Sequence, residues 1–266
     1  MTLGSRPKPR RSFGKTSGTS DRLLPEEVPI AIVYNGSTQA VMMATPLNLQ
    51  DFAFGFTLTE GIAEPSEIET VEPVQVDAGI DLRIWLRPEA DLRLIERRRS
   101  MLGPVGCGLC GIDSLEQAAR QPKMVPQGQL RLTPDQVIAA IESLPSGQRL
   151  HEATRAVHAA GYWADGLKAV REDVGRHNAL DKLAGFLVQH PQPEGAVLIT
   201  SRVSIDIVQK VAAMGAGLLV AVSAPTASAV EFAEAAGITL IASARTGGFD
   251  LYTHPYRIIT EDEGGR

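Results

Sequence analysis

Three short apolar runs towards the end of the chain constrain its fold more than any other feature. AVLIT at 196–200, GLLVAV at 217–222 and ITLIA at 238–242 are too short to be buried helices and are apolar almost throughout. Strands that read this way are buried on both faces, as in a sheet covered by helices. Helix-like segments at 178–189, 204–214 and 226–236 alternate with them. The alternation predicts an α/β fold with a mostly parallel or mixed sheet between helical layers. The chain has 266 residues, 44% of them hydrophobic, which supports a real core and excludes a disordered or fibrous protein. No uncharged apolar run reaches the ~18 residues that a membrane span needs. The first twenty residues lack the apolar stretch of a secretory signal. A cytoplasmic protein with no membrane partner is expected.

The earlier part of the chain reads differently. VPIAIVY at 28–34 and QAVMMA at 39–44 flank Asn35-Gly36, which predicts a hairpin closed by a type I′ turn. A turn at 45–48 leads into a helix at 49–59, with Leu49, Phe52, Ala53 and Phe56 on one face and Gly61 as its C-terminal cap. Strand-like runs follow between 68 and 95, notably at 81–86. Together these make a small α+β unit at 23–100. Residues 96–113 hold four glycines and a proline and read as a mobile loop, flexible over 101–113. A Ser-x-x-Gln capping box at 114–117 and a second start at Thr133-Pro134-Asp135-Gln136 open further helices, with a polar linker at 120–131 between them. The α/β domain is expected over 114–260, with a tail at 261–266.

The charge is uneven. Residues 1–22 hold six Lys or Arg and one acid, so the rest of the chain carries −10 against −5 for the whole. The first 22 residues read as a disordered basic tail. The acidic body argues against nucleic acid as a partner.

Chemistry is suggested at two places. The first is the loop after each apolar run: Ser201-Arg202-Val203-Ser204, then Ser223-Ala224-Pro225-Thr226, then Ser243-Ala244-Arg245-Thr246-Gly247-Gly248. If the strands are parallel, all three loops open on one sheet edge, where open α/β sheets bind ligands. Two of them lead into helix N-termini, which favour anions, and Arg202 and Arg245 can grip phosphate. No P-loop or GxGxxG pattern is present. The second place is Cys107 and Cys110, the only cysteines. Glycines on both sides, Arg97, Arg98 and Arg99 upstream and a helix start downstream all favour a reactive thiolate. Two cysteines are neither a disulfide framework nor a complete zinc site. Sulfur carriage, thiol–disulfide exchange, half a metal site and inert thiols all stay open. His177, in the polar run 173–182, sits near a helix start, where a neutral imidazole suits donor or base roles.

The motifs TEGI at 59–62, GCGLCG at 106–111, DVGRHNALDKL at 173–183, RVS at 202–204 with VQK at 208–210, and SAPTASAVEFAEAAGITL at 223–240 resemble the FdhD/NarQ family of sulfurtransferases required for formate dehydrogenase activity. The closing AR, F and YTHP at 244–255 match as well. The resemblance implies a C-terminal domain of cytidine-deaminase-like fold without its zinc, and a homodimer. It implies that a cysteine desulfurase passes persulfide sulfur to Cys107, with Cys110 auxiliary. That sulfur then goes to the molybdenum cofactor, bis-molybdopterin guanine dinucleotide, before insertion into formate dehydrogenase. Contact with that cofactor is expected at Ser243, Ala244, Arg245, Thr246, Gly247 and Gly248, with Arg202, Ser223, Thr226 and His177 around them. No metal ligated by the protein itself is expected. The alternatives are a thiol–disulfide oxidoreductase and a non-catalytic chaperone that only holds the cofactor. Ser201 replaces a glycine usual in the family, Gly248 stands where a second basic residue is frequent, and the run 103–106 lacks the usual Ser/Thr character.

Overall fold

The computed structural model describes residues 3–14, 17–101 and 124–259, with 97–101 by backbone alone. Cys107, Cys110 and the capping box at 114–117 lie outside the described residues.

β3 (Val28–Tyr34) and β4 (Ser37–Ala44) pair antiparallel. Asn35 and Gly36, with φ of 46° and 81°, turn the chain in the left-handed conformation that a type I′ turn requires. α1 (Leu49–Thr59) follows and ends where Gly61, at φ 60°, lets Gly61 N–H reach Leu58 O and Ile62 N–H reach Thr57 O. β5 (Ile68–Val76) and β6 (Gly79–Leu86) complete a four-stranded sheet of order β4-β3-β6-β5, with β3 and β6 parallel. Its inner face, with Ile30, Ile32, Tyr34, Leu82 and Ile84, packs against Phe52 and Phe56 of α1. Ala90 and Leu94 of α2 (Pro88–Met101) join the same core. The segment at 96–101, expected to be loop, is the last part of α2. Pro88 at the first turn with Glu89 and Asp91 starts the helix well, and its charged C-terminal half masks the periodicity in the sequence.

In the second half, α3 (Pro134–Ser143) starts on the expected capping box: Thr133 Oγ1 accepts from Gln136 N–H, and the Gln136 side chain accepts from Thr133 N–H. A short α4 (Arg149–Thr154) precedes β7 (His158–Trp163) and β8 (Leu167–Asp173). Then come α5 (Arg176–Gln189), β9 (Ala196–Ile199), α6 (Ile205–Ala213), β10 (Leu218–Ala221) and α7 (Ala227–Ala236). β11 (Thr239–Arg245) and β12 (Gly248–Leu251) close the sheet. The strand order is β12-β11-β10-β9-β7-β8. β9, β10 and β11 are mutually parallel, whereas β7, β8 and β12 pair antiparallel. The sheet is therefore mixed, and the fold is α/β in three layers. Val197, Ile199, Leu219 and Leu240 meet α5, α6 and α7 on one face, while Leu198, Leu218, Val220 and Ile241 meet α3 on the other.

Residues 5–12 and 18–25 are not a disordered tail. β1 (Ser5–Ser12) and β2 (Gly18–Pro25) form an eight-pair antiparallel ribbon. Its root is held by Glu26 N–H to Gly4 O and by Arg22 to Thr154 O. The ribbon buries almost nothing, so it leaves no apolar alternation for a sequence reader to find.

The two halves meet most closely where α1 crosses α5. Gly55 lies on the backbone of Asp181, and Gly185 lies on that of Asp51. A Cβ at either glycine would strike the opposing carbonyl oxygen. Arg171 reinforces the joint by pairing with Asp51 at 2.6 Å while stacking over Phe186. Gly55→Ala and Gly185→Ala should each cost about 1–3 kcal/mol, read as a fall in urea midpoint, because the helices must part.

Candidate functional site

The parallel strands β9, β10 and β11 bring their following loops to one edge, and backbone bonds knit those loops together. Val222 N–H reaches Ile199 O, Val203 N–H reaches Ala224 O at 3.2 Å, Thr226 N–H reaches Val203 O at 3.0 Å, and Ser243 N–H reaches Ser223 O at 3.2 Å. Arg202, Ser223, Thr226 and the 243–248 segment thus belong to one neighbourhood. Arg202, Arg245, Thr246 and Gly247 are exposed along it. Two residues have narrower roles than their presence in this neighbourhood suggests. The Thr226 hydroxyl caps α7 by accepting from Ala229 N–H, and Ala244 is buried, so only its backbone can serve a ligand. The third loop leads into β12 rather than a helix, making a hairpin with a bulge between Ala242 and Arg245 and Ser243 at φ 53°. Gly248 has φ 136°, so a basic side chain there would be strained although nothing crowds the position. Ser201 is buried and donates to Arg202 O.

β8 ends at the same edge, so α5 starts there too. Asp173 is fully buried and organises that start. Its Oδ2 accepts from Lys182 Nζ at 2.6 Å and from Thr45 N–H at 3.0 Å, while Oδ1 accepts from Gly175 N–H at 2.8 Å and Asn178 Nδ2 at 3.0 Å. Lys182 Nζ also donates to Thr45 O, and Asn178 Nδ2 to Met43 O. Much of the DVGRHNALDK run therefore locks α5 to the end of β4.

A second buried knot joins α1, α5 and α6. Lys210 Nζ donates to Glu60 Oε1 at 2.6 Å, Asp181 Oδ1 at 2.8 Å and Thr59 Oγ1 at 3.0 Å, and Thr59 Oγ1 donates to Asp181 at 2.6 Å. Burial alone would pull the Lys210 pKa down, but the Asp181 and Glu60 carboxylates outweigh it and hold the ammonium above its ordinary value. The sequence does not reveal this knot, because its members lie in three segments far apart in the chain. The motifs at 59–62, 173–183 and 208–210 do contain all of them.

His177 lies beside the knot, at the first turn of α5, with Nε2 3.8 Å from Asp206 Oδ2 on α6. Burial, with help from Arg176 and Lys210, lowers its pKa to about 4. The neutral imidazole expected from its helix position is therefore present, although burial is the main cause. Nε2 of His177, Nε of Arg176 and Oγ of Ser204 are buried and have no hydrogen-bond partner among the described residues. Because the folded state resists protonation, His177 stabilises the fold above the ordinary histidine value of 6.5. That contribution is lost as pH falls from 6.5 towards 4. His177→Phe should flatten this part of the stability–pH curve, and a histidine NMR titration should place the His177 midpoint near 4.

These features define a mixed α/β protein with a polar, arginine-bearing sheet edge, built jointly from both halves of the chain. A model of the FdhD/NarQ family matches residues 25–259, and the chain belongs to that family. It is 49% identical over 249 residues to a sulfur carrier protein FdhD of Agrobacterium fabrum, covering 92% of each chain. It is 51% identical over 245 residues to one of Brucella abortus, covering 90% of this chain and 91% of that one. The fold matches the crystal structure of a protein assigned as a formate dehydrogenase accessory protein in Desulfotalea psychrophila. That match has a TM-score of 0.73 at 23% identity and covers 96% of this chain and 99% of the other. Among the described residues no helix is long and apolar enough to cross a membrane.

Proposed function

We propose that this protein is a cytoplasmic, homodimeric sulfur carrier for formate dehydrogenase. The Cys107 thiolate attacks the outer sulfur of a cysteine desulfurase persulfide. The donor's S–S bond breaks, the donor thiolate leaves, and a persulfide remains on Cys107, with Cys110 auxiliary. That outer sulfur then passes to the molybdenum cofactor, which is the protein's cargo: the S–S bond on Cys107 breaks, the Cys107 thiolate leaves, and the cofactor supplies the two electrons that turn sulfane sulfur into sulfide, before the cofactor enters formate dehydrogenase. The name shared by relatives near 50% identity supports sulfur carriage.

The observation that carries the cofactor half of this reading is the knitted loop edge, which carries two exposed arginines, Arg202 and Arg245. That edge suits the phosphates of a guanine dinucleotide. Guanosine diphosphate, standing in for that end of the cofactor, should bind the full-length protein in calorimetry. Arg245→Ala should weaken the binding about tenfold, the lower end for a charge-assisted hydrogen bond at an exposed site. Arg202→Ala should weaken it comparably. Unchanged affinity in both variants would place the nucleotide elsewhere.

A further inference from the structure

The β1–β2 ribbon carries a charge pattern that its composition alone does not show. Residues opposite each other in an antiparallel pair project on the same face, and alternate residues share that face. The register sets Arg6 against Leu24, Lys8 against Arg22 and Arg10 against Ser20. One face of the ribbon therefore holds Arg6, Lys8, Arg10 and Arg22 and no acid. Lys8 and Arg22 are like charges directly opposite, which disfavours the ribbon. Among the described residues only part of this charge is answered. Arg6 pairs with Glu26 at the root, Arg22 donates to Thr154 O, and Arg10 donates to Ser20 Oγ at 3.3 Å. A two-stranded ribbon exposed on both faces is marginal in water by itself. A repulsive face of this kind is stabilised by an anionic partner.

The chain also contains the complementary surface. Residues 59–82 hold seven acids and no Lys or Arg; Glu60, Glu67 and Asp81 are paired with Lys210, Arg93 and Arg83, so the surface at issue is that of Glu69 and Glu72. Within them β5 forms an edge of its sheet, with Glu69 and Glu72 exposed. Glu72 stands opposite Arg83, whose guanidinium turns to Asp81 at 3.5 Å. The ribbon cannot readily meet β5 of its own chain. Its root lies by Thr45 and Leu47 at the end of β4, and β4 and β5 are opposite edges of the same sheet.

We infer that the cationic face of the β1–β2 ribbon docks on the acidic β5 edge of a second copy of this chain. The inference rests on the self-association included in the proposed function and assigns it a surface. Nucleic acid fits less well, because the ribbon offers only Phe13 for stacking on bases and the rest of the chain carries −10.

The test mixes isotopically heavy and light full-length protein, couples amines to carboxylates with a zero-length carbodiimide, and sequences the joined peptides. Lys8 joined to Glu69 or Glu72 in mixed heavy–light pairs is the expected result. In sedimentation, Lys8→Glu with Arg10→Glu should weaken dimerisation about tenfold, and adding Glu69→Lys with Glu72→Lys should recover it. These positions lie outside both cores, and an unchanged Tm checks that the variants fold. A stable dimer without these cross-links and indifferent to the charge reversals overturns the inference and leaves self-association intact. A monomer at every concentration overturns both. Retardation of a labelled single-stranded oligonucleotide that the Lys8→Glu, Arg10→Glu variant abolishes, with no cross-link to β5, assigns the ribbon to nucleic acid and also overturns it.

Discussion

Asp173→Ala should cost about 3–5 kcal/mol of stability, the usual scale for leaving a buried charge unpaired. That is a large part of the roughly 5–15 kcal/mol that holds a typical domain together. The carboxylate holds Lys182 at 2.6 Å in a site where both side chains are fully buried. Its loss leaves the ammonium, among the described residues, with Thr45 O as its one hydrogen-bond acceptor and strips an acceptor from Thr45 N–H, Gly175 N–H and Asn178 Nδ2. Burial already holds the Lys182 pKa below its ordinary value, so the lone lysine would tend to become neutral and recover part of the loss. Urea unfolding followed by circular dichroism checks this through a lower midpoint at unchanged slope. Asp173→Ala combined with Lys182→Met should be more stable than Asp173→Ala alone, because it removes the unpaired cation. Equal stability of the two variants would mean that the ion pair matters less than the backbone bonds to Asp173.

The second large effect is on function. Cys107→Ala should abolish activation of formate dehydrogenase in cells lacking the native carrier, while Tm and guanosine diphosphate affinity stay unchanged. The reason is chemical: alanine has no thiolate to accept the sulfane sulfur. Cys110→Ala should retain part of the activity, as expected for the auxiliary role proposed for it. Full activation by Cys107→Ala would mean that the protein serves only to hold the cofactor.

Much of this architecture was legible in the sequence because burial leaves a periodic trace. The unbroken apolar runs of β9 and β10 gave the covered sheet, Asn35-Gly36 gave the first hairpin, and Thr133 to Gln136 gave the start of α3. The features it concealed are those whose partners are distant in the chain. Gly55 and Gly185 look like weak points within helices, and only the crossing of α1 with α5 explains them. Lys210 reads as one more surface lysine until folding sets it between Asp181 and Glu60. The β1–β2 ribbon escaped notice because its pairing satisfies the backbone without burying side chains. At the candidate site the parallel run of strands predicted the shared edge. It could not show that the Thr226 hydroxyl is spent on a cap or that Gly248 occupies a backbone conformation closed to most residues.

The central claim is that Cys107 carries sulfur. Incubating the purified protein with a cysteine desulfurase and free cysteine, then measuring its intact mass and mapping the modified peptide, tests it most directly. The account predicts a gain of one sulfur atom on Cys107 that is absent from Cys107→Ala. Unmodified Cys107 beside an active desulfurase, with a Cys107–Cys110 disulfide in its place, would contradict it and point to thiol–disulfide exchange.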